Sequence, residues 1–173
     1  KKSIFAIKKI VNSKSKTAQE YLPVKILLSC GGTGGHIYPA LAIAQKLTDC
    51  FFIGSHRLEK DLIPRAGFRF YEIEAHAKNL LKLLIGFGQS ISIIKKEKPD
   101  LIISTGGYAT IPVLLAGLLL GKKYYIQEQN ILPGKVNRFL SLGATKVFSA
   151  FDQSQKYFLR KNVVVTGNPI RPE

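Results

Sequence analysis

The sequence predicts an α/β protein with a parallel sheet covered by helices on both faces, a Rossmann-like architecture. Two patterns lead to this fold class. Short apolar runs alternate with segments of helical periodicity, and three of the apolar runs end at glycine-rich or polar loops. Parallel strands need a crossover connection between them, which is usually a helix. The alternation therefore predicts strand, helix and strand in repeated succession.

The predicted elements follow one another from residue 24 onward. The first strand covers residues 24–30 and stops at glycines, and the first helix covers residues 39–47, with Pro39 in its first turn. The other strands are predicted at residues 51–54, 70–73, 101–104, 124–126, 146–148 and 163–165. The other helices are predicted at residues 58–66, 80–98 with an interruption near Gly86 and Gly88, 111–120 and 134–142. Ligands bind at the carboxyl ends of such strands, so the loops after the first, fourth and fifth strands should converge.

The chain divides into a basic segment and one domain. Residues 1–23 are rich in lysine and end at a proline, which predicts an appendage, and residues 24–173 are expected to form the α/β domain. Ile4, Ile7 and Ile10 lie at helical spacing among lysines, so either an amphipathic helix or a flexible tail fits residues 1–23.

Charge and composition restrict the possible partners. Lysine and arginine outnumber aspartate and glutamate 26 to 11, a formal charge of +15, which favours an anionic partner. Neither an RNA-type aromatic signature nor zinc-finger spacing occurs, so we expect no nucleic-acid partner. No apolar run approaches the ~20 residues that cross a bilayer. Cys30 and Cys50 adjoin apolar runs and are expected to be unbridged, as in a reducing cytoplasm.

The loop after the first strand is the main candidate for a ligand site. Residues 31–36 read Gly-Gly-Thr-Gly-Gly-His, and the glycines let backbone N–H groups approach a phosphate or sugar. The spacing matches neither the dinucleotide fingerprint nor a Gly-Lys-Ser/Thr loop, so nucleoside-triphosphate hydrolysis is disfavoured. His36 is the candidate general base because imidazole exchanges protons near neutral pH. A histidine that only caps the helix start fits the pattern as well.

Two further loops should meet the first at the same edge of the sheet. Gly106, Gly107 and Tyr108 follow the fourth strand, where the tyrosine can either contact a sugar or fill the core. Residues 127–130 read Gln-Glu-Gln-Asn, a dense set of donors and acceptors that suits a polyol, although a solvated turn is the alternative. His56 and His76 have no comparable setting and are expected to be surface residues.

Four motifs together resemble the MurG family, the undecaprenyl-diphospho-muramoylpentapeptide β-N-acetylglucosaminyltransferases of peptidoglycan and cell-wall synthesis. They are residues 31–40 (GGTGGHIYPA), residues 104–108 (STGGY), residues 128–138 (EQN, PG and NR) and residues 167–171 (GNPIR). The resemblance runs from about Val24 to the end of the chain. It implies the N-terminal, acceptor-binding half of a two-domain B-type glycosyltransferase, whose C-terminal donor domain is absent from this chain.

The resemblance also implies roles for individual residues. The donor UDP-GlcNAc would contact Thr33, Gly34, Gly35, Asn130 and Arg171. The lipid-linked muramoyl-pentapeptide acceptor would be held by Gly106, Gly107 and Tyr108, and His36 would be the base of an inverting displacement. Neither a metal nor another cofactor is expected, because the diphosphate is neutralised by backbone dipoles and basic groups. Gln127 stands where the family usually has histidine.

A membrane surface is the third partner that the resemblance implies. Leu80, Leu84 and Phe87 lie in a continuous apolar run beside lysines, which suits the anionic cytoplasmic face of the bacterial plasma membrane. A helix packed into the core is the competing interpretation. Two other functions fit the motifs: the acceptor-side membrane subunit of a split dolichol-linked GlcNAc transferase, and a non-catalytic module that binds sugar diphosphates.

Overall fold

The computed structural model describes residues 24–77, 79–159 and 162–169. The predicted appendage, residues 1–23, lies outside these residues, as does Arg171. The strands of the described part are β1 (Lys25–Cys30), β2 (Asp49–Gly54), β3 (Arg69–Glu72), β4 (Leu101–Gly106), β5 (Lys123–Glu128), β6 (Lys146–Ser149) and β7 (Val163–Val165). The helices are α1 (Gly34–Ala44), α2 (Leu58–Arg65), α3 (Leu80–Glu97), α4 (Thr110–Leu119) and α5 (Lys135–Leu140), followed by a 3-10 helix at Asp152–Tyr157.

The strands form one seven-stranded sheet in the order β3-β2-β1-β4-β5-β6-β7, and every neighbouring pair is parallel. The predicted Rossmann-like class is therefore confirmed. The chain builds outward from β1 to β3 and then crosses back to place β4 on the other side of β1. The carboxyl ends of β1 and β4 thus form the switch point of the sheet, where such folds bind ligands.

The core lies in two layers, one on each face of the sheet. Successive side chains of a strand point to opposite faces. In β1, Leu27 accordingly belongs to the cluster that includes Ile94 of α3 and Val113 of α4, whereas Leu28 belongs to the cluster that includes Ile37 of α1. The sheet is therefore covered on both faces, which explains why its central strands are almost wholly apolar.

Helix α1 begins five residues earlier than the sequence predicted. Thr33 is extended (φ −144°, ψ 157°), and its carbonyl oxygen accepts hydrogen bonds from the backbone N–H groups of His36 at 3.1 Å and Ile37 at 3.2 Å. The helix therefore starts inside the glycine run, and the placement of Pro39 in the first turn was wrong. The first turn consists of Gly34, Gly35 and His36, directly beside the switch point.

Helix α3 is continuous through both of its glycines, so the predicted interruption was also wrong. Gly86 is buried, and a Cβ atom there would lie 1.8 Å from the carbonyl oxygen of Glu74. The glycine lets the helix pack directly on the backbone that leads into it. A close approach of backbones, rather than a break, explains this residue.

The first half of α3 presents apolar side chains to solvent. Leu80, Leu81, Leu84 and Ile85 are exposed, with fractions of 72%, 66%, 59% and 45%. Phe87, the third predicted membrane contact, is partly buried and packs against the core cluster. The helical repeat places residue 87 on the same face as Leu83, which also packs inward. No helix in the described part of the chain is long and apolar enough to cross a membrane.

The end of α3 is tied to the sheet by Glu97. Its carboxylate contacts Lys25 Nζ at 2.5 Å and accepts a hydrogen bond from the phenol of Tyr71 at 2.6 Å. These contacts, with a smaller one from the Arg69 guanidinium, hold the pKa of Glu97 at about 2, well below its usual range. The helix is thereby fastened to the first strand and to the edge strand β3.

Candidate functional site

The two glycine loops meet at the switch point. The backbone N–H of Gly31 donates to the carbonyl oxygen of Gly106 at 3.2 Å, and a Cβ atom on Gly107 would lie 2.1 Å from the carbonyl oxygen of Gly31. Gly106 and Gly107 also have positive φ angles of 105° and 97°, which other residues rarely adopt. Packing and backbone conformation therefore require these glycines, whereas the sequence suggested only a ligand.

A buried carboxylate accepts a hydrogen bond from the first glycine loop. Glu59 of α2 is fully buried, and its two oxygens accept hydrogen bonds from the backbone N–H of Gly32 and from both the N–H and the hydroxyl of Ser55. The described residues place no cation against it. Sequence reasoning missed Glu59 because an acidic residue in the first turn of a helix ordinarily indicates a solvated position.

His36 is held in one orientation. Its Nδ1 lies 2.8 Å from the carbonyl oxygen of Thr105, whose hydroxyl in turn donates to the carbonyl oxygen of His36 at 2.7 Å. A carbonyl oxygen has no hydrogen to give, so a hydrogen bond here needs a proton on Nδ1 and leaves the lone pair on Nε2. In that tautomer Nε2 would be free to accept a proton, as the predicted general base must.

Gln129 packs against the same edge of the imidazole. Its Nε2 donates to the Thr105 oxygen at 3.0 Å and lies 2.6 Å from His36 Nδ1. Its Oε1 is buried and has no hydrogen-bond partner among the described residues. The Nε2 group can donate to Nδ1 only when that nitrogen carries no proton, so the contacts of Nδ1 with Gln129 and with the Thr105 oxygen require opposite tautomers of His36.

A cleft of about 570 Å³ opens between the glycine loops and the start of α5. We call it the glycine-loop cleft. It is lined by Gly31, Gly32, Thr33, His36, Ser55, Arg57, Ala75, His76, Ala77, Gly107, Tyr108, Ala109, Gly134, Lys135, Val136 and Asn137. The exposed cations Arg57 and Lys135 form no ion pair with any described residue. The cleft therefore offers backbone, imidazole and two unpaired cations to an anionic ligand.

A second opening of about 680 Å³ lies on the other side of the first turn of α1. We call it the asparagine recess, and it is lined by Gly34, Gly35, Tyr38, Pro39, Gln129, Asn130, Asn168 and Pro169. A Cβ atom on Gly35 would come no closer than 3.7 Å to any non-neighbouring atom, so packing does not require this glycine. The N–H groups of Gly34 and Gly35 donate to no described residue and are available to a ligand.

One buried carboxylate connects the two openings. Glu128 is fully buried at the end of β5; its Oε1 accepts from the backbone N–H and the side-chain amide of Asn130, and its Oε2 accepts from the Gly134 N–H and the Asn137 amide. The prediction that residues 127–130 form a polar loop for polyols was wrong for Gln127 and Glu128, because β5 extends through both and buries them.

The structure divides the predicted site residues between the openings. Thr33, His36, Gly107 and Tyr108 line the glycine-loop cleft, and Gly34, Gly35 and Asn130 line the asparagine recess. Gly106 lines neither opening. His76, which the sequence assigned to the open surface, is exposed but forms part of the cleft wall. Within the described ranges, no three histidine, cysteine or acidic side chains are grouped as a metal site.

More than half of the chain corresponds to a known family. Residues 26–149 match the model of the glycosyltransferase family 28 N-terminal domain. The chain belongs to this family. Curated relatives carry the name UDP-N-acetylglucosamine–N-acetylmuramyl-(pentapeptide) pyrophosphoryl-undecaprenol N-acetylglucosamine transferase. The Fusobacterium nucleatum protein is 43% identical over 161 residues, and the Caldanaerobacter subterraneus protein is 42% identical over 168 residues.

The family 28 chain matches only part of each relative. The alignments cover 86% of this chain but 45% of the Fusobacterium protein, and 87% of this chain but 46% of the Caldanaerobacter protein. The chain therefore spans about half the length of the curated relatives that it matches.

Solved structures give the same picture of the family 28 fold. Acinetobacter baumannii MurG superposes with a TM-score of 0.75 at 28% identity, over 87% of this chain and 47% of that chain. A UDP-GlcNAc 2-epimerase from Neisseria meningitidis, solved bound to UDP-GlcNAc, reaches a TM-score of 0.66 at 18% identity, over 83% of this chain and 46% of that one. At that identity the epimerase shows a shared fold and nothing more.

Proposed function

We propose that this chain is the acceptor-side half of an inverting glycosyltransferase. The intact enzyme would transfer GlcNAc from UDP-GlcNAc to the muramoyl 4-hydroxyl of undecaprenyl-diphospho-MurNAc-pentapeptide, a step of peptidoglycan synthesis. The relatives carry the name of this activity, and residues 24–173 would form the acceptor domain. The observation that carries the proposal is that His36 separates two openings, with Gly34 and Gly35 facing one and the imidazole facing the other.

The acceptor would occupy the glycine-loop cleft. Its diphosphate carries negative charge, and Arg57 and Lys135 are the unpaired cations of the cleft wall. Gly107 and Tyr108 would lie beside the muramoyl sugar. Charge attraction between these cations and the diphosphate is strongest where water is displaced. A diphosphate held in this way would also fix the position of the sugar hydroxyl attached to the same molecule.

The donor would approach through the asparagine recess. The unpaired N–H groups of Gly34 and Gly35 lie at the positive end of the helix dipole of α1, which suits the diphosphate of a nucleotide sugar. Asn130 would contact the same ligand, and Arg171 would join it. The relatives are about twice as long as this chain, and we assign the rest of the donor site to a second domain.

The chemical step needs one base and one stabilised leaving group. His36 Nε2 would take the proton of the acceptor hydroxyl while the oxygen of that hydroxyl forms a bond to the anomeric carbon of the donor GlcNAc. The bond from that carbon to the diphosphate of UDP would break on the opposite side, so configuration inverts and UDP leaves with the electron pair. The carbonyl oxygen of Thr105 would stabilise the imidazolium through Nδ1.

The acceptor lipid would also require a membrane surface. Leu80, Leu81, Leu84 and Ile85 form the exposed apolar face at the start of α3, and Lys82 lies on the same turn. Apolar insertion with nearby cations suits the anionic cytoplasmic face of the plasma membrane. We assign this face to peripheral membrane contact.

A joined chain tests the activity. It consists of this chain followed by the C-terminal part of the Fusobacterium nucleatum relative, assayed with UDP-GlcNAc and undecaprenyl-diphospho-MurNAc-pentapeptide in detergent. We expect transfer in the unchanged joined chain. In H36N, the asparagine amide can replace the Nδ1 contact to Thr105 but cannot act as a base. Turnover should fall about 100-fold or more while both substrates still bind.

The same assay separates the other functions. Transfer to a dolichyl-diphospho-GlcNAc acceptor instead of the muramoyl lipid would support the split dolichol-linked enzyme. Binding of the muramoyl lipid without transfer in the joined chain would indicate a non-catalytic module. Normal turnover in H36N would remove the base assignment and leave the acceptor assignment in place.

A further inference from the structure

We infer that Asn137 contacts the acceptor sugar through its side-chain oxygen, and that Glu128 is the positioning residue that turns this oxygen into the cleft. The inference rests on the proposed function, because it takes the glycine-loop cleft as the acceptor site. It assigns a substrate contact to α5, whose Asn137 belongs to one of the four sequence motifs but has no role among those that the resemblance implies.

The orientation of the Asn137 amide follows from its partner. Glu128 Oε2 lies 2.9 Å from Asn137 Nδ2, and an ionised carboxylate can only accept hydrogen bonds. The same carboxylate also accepts hydrogen bonds from the backbone N–H and the side-chain amide of Asn130 and from the backbone N–H of Gly134. All four of its donors are therefore neutral N–H groups. The nitrogen of the Asn137 amide must therefore face Glu128, and the oxygen must face the other way.

That oxygen has no partner. Asn137 is 2% exposed, its Oδ1 is buried, and no described residue donates to it. An unpaired buried acceptor costs about 1 to 3 kcal/mol, and native proteins rarely leave one without a role. Because Asn137 lines the glycine-loop cleft, a donor supplied by a ligand would remove this cost.

The position of the amide limits what the ligand can be. A Cβ atom on Gly106 would lie 3.0 Å from both amide atoms of Asn137 and 3.0 Å from His36 Cε1, so the amide and the imidazole pack on the same glycine. A carbonyl oxygen repels phosphate oxygens and attracts O–H or N–H groups. We therefore assign to Asn137 a sugar hydroxyl or an acetamido N–H close to the group that His36 would deprotonate.

Binding to the 173-residue chain tests the contact. The probe is a short-chain isoprenyl-diphospho-N-acetylmuramoyl-pentapeptide, titrated by calorimetry. N137A should weaken binding about 3- to 10-fold, the range for one neutral hydrogen bond. The matched control is N162A: Asn162 also has a buried, unpartnered Oδ1 and an amide that donates to a backbone oxygen, but it lines neither opening. N162A should bind the probe like the unchanged chain.

A pH profile separates a ligand contact from a structural role. In N137D, the new carboxyl lies against Glu128 and should retain a proton to higher pH than an isolated aspartate, because two adjacent carboxylates repel. When protonated, it donates to Glu128 and presents an oxygen to the cleft, as asparagine does. The affinity of N137D relative to the unchanged chain should rise as the pH is lowered, whereas the N137A ratio should stay flat. Dividing by the affinity of the unchanged chain at each pH cancels the pH dependence that the two proteins share. This includes any contribution from the other ionisable or charged groups of the cleft wall, which are His36, Arg57, His76, Tyr108 and Lys135.

E128Q tests the positioning role. Glutamine has one acceptor oxygen and cannot receive both asparagine amides, so probe affinity should fall while circular dichroism remains unchanged. Equal affinity of N137A and the unchanged chain, or a flat N137D ratio in a folded protein, would overturn the inference. Failure of the unchanged chain to bind the probe would instead refute the proposed function.

Discussion

The carboxylate of Glu59 accepts a hydrogen bond from the backbone N–H of Gly32 at 3.0 Å, and it is fully buried beneath the glycine loop. It also receives both donors of Ser55 at 3.0 Å and 2.6 Å. The glycine loop is thus fixed by a hydrogen bond to a side chain in the interior of the domain. One backbone N–H that the sequence suggested for a phosphate is already used internally.

Replacing Glu59 should destabilise the domain. E59A leaves buried donors without partners, so the free energy of unfolding should fall by about 1 to 3 kcal/mol, whereas E59Q retains one acceptor and should lose less. Urea denaturation followed by circular dichroism measures both changes. D61A, which removes an exposed carboxylate from the same helix, is the control and should change stability little. An E59A midpoint equal to that of the unchanged chain would contradict this account.

Gly35 should behave unlike the glycines that pack. Its Cβ position is open, and alanine is favoured over glycine in a helix by about 1 kcal/mol, so G35A should raise the unfolding free energy slightly. If a ligand uses the space, the same substitution should weaken UDP-GlcNAc binding by the joined chain. Calorimetric titration measures the binding. A variant that is more stable and binds equally well would show that the open space serves no donor.

Gly107, unlike Gly35, has no room for a Cβ atom. G107A would place a methyl group against the Gly31 carbonyl at a positive φ, so we expect a loss of stability of about 1 kcal/mol or more. The thermal midpoint of the 173-residue chain should fall accordingly. If G107A melted at the same temperature as the unchanged chain, the contact between the loops would not matter to stability.

The leucines at the start of α3 should govern vesicle binding. L81S/L84S removes two exposed apolar side chains without touching the core, so cosedimentation with anionic phosphatidylglycerol vesicles should decrease while the melting temperature is retained. L159S is the matched control, because Leu159 is 80% exposed but lies far along the chain, after the 3-10 helix. Equal losses in the two variants would indicate non-specific adsorption.

Glu97 predicts a stability that depends on pH. Its pKa is lowered to about 2 in the folded chain, chiefly by Lys25, whereas an unfolded glutamate titrates near 4.3. A lowered folded pKa gives stability that is complete above the unfolded pKa and is lost as the pH falls toward 2. E97Q should therefore be less stable than the unchanged chain by about 1 to 3 kcal/mol at pH 7, and the difference should shrink between about pH 4 and pH 2.

The control for that profile is E72Q. Glu72 pairs with Lys60 at the surface, where the two side chains are 42% and 53% exposed, so its loss should matter little at any pH. Denaturation at a series of pH values compares the variants. A difference between E97Q and the unchanged chain that persisted below about pH 2 would argue that packing, and not charge, explains the contribution of Glu97.

Local patterns in the sequence were enough for the sheet, since each buried strand is a short apolar run that stops at a loop. They were not enough for α1, whose start depends on the extended Thr33 and its carbonyl oxygen. The burial of Glu59 could not be predicted, because the Gly32 N–H that it accepts comes from a distant loop that only the fold brings near. The donors to Glu128 are close in sequence, but its burial depends on the extension of β5 through residue 128. Phe87 illustrates the same limit: helical spacing alone does not say which apolar face meets the core.

The position of Glu128 has a consequence for the thermodynamics of the proposed substrate binding. Its carboxylate accepts hydrogen bonds from the side-chain amides of Asn130, which lines one opening, and of Asn137, which lines the other. A ligand that fixes either asparagine would therefore limit the motion of the carboxylate and, through it, of the other asparagine. If the two openings hold the proposed substrates, occupancy of one opening and affinity at the other would be linked through this side chain. By reciprocity, whatever factor the nucleotide sugar imposed on the affinity for the lipid, the lipid would impose on the affinity for the nucleotide sugar.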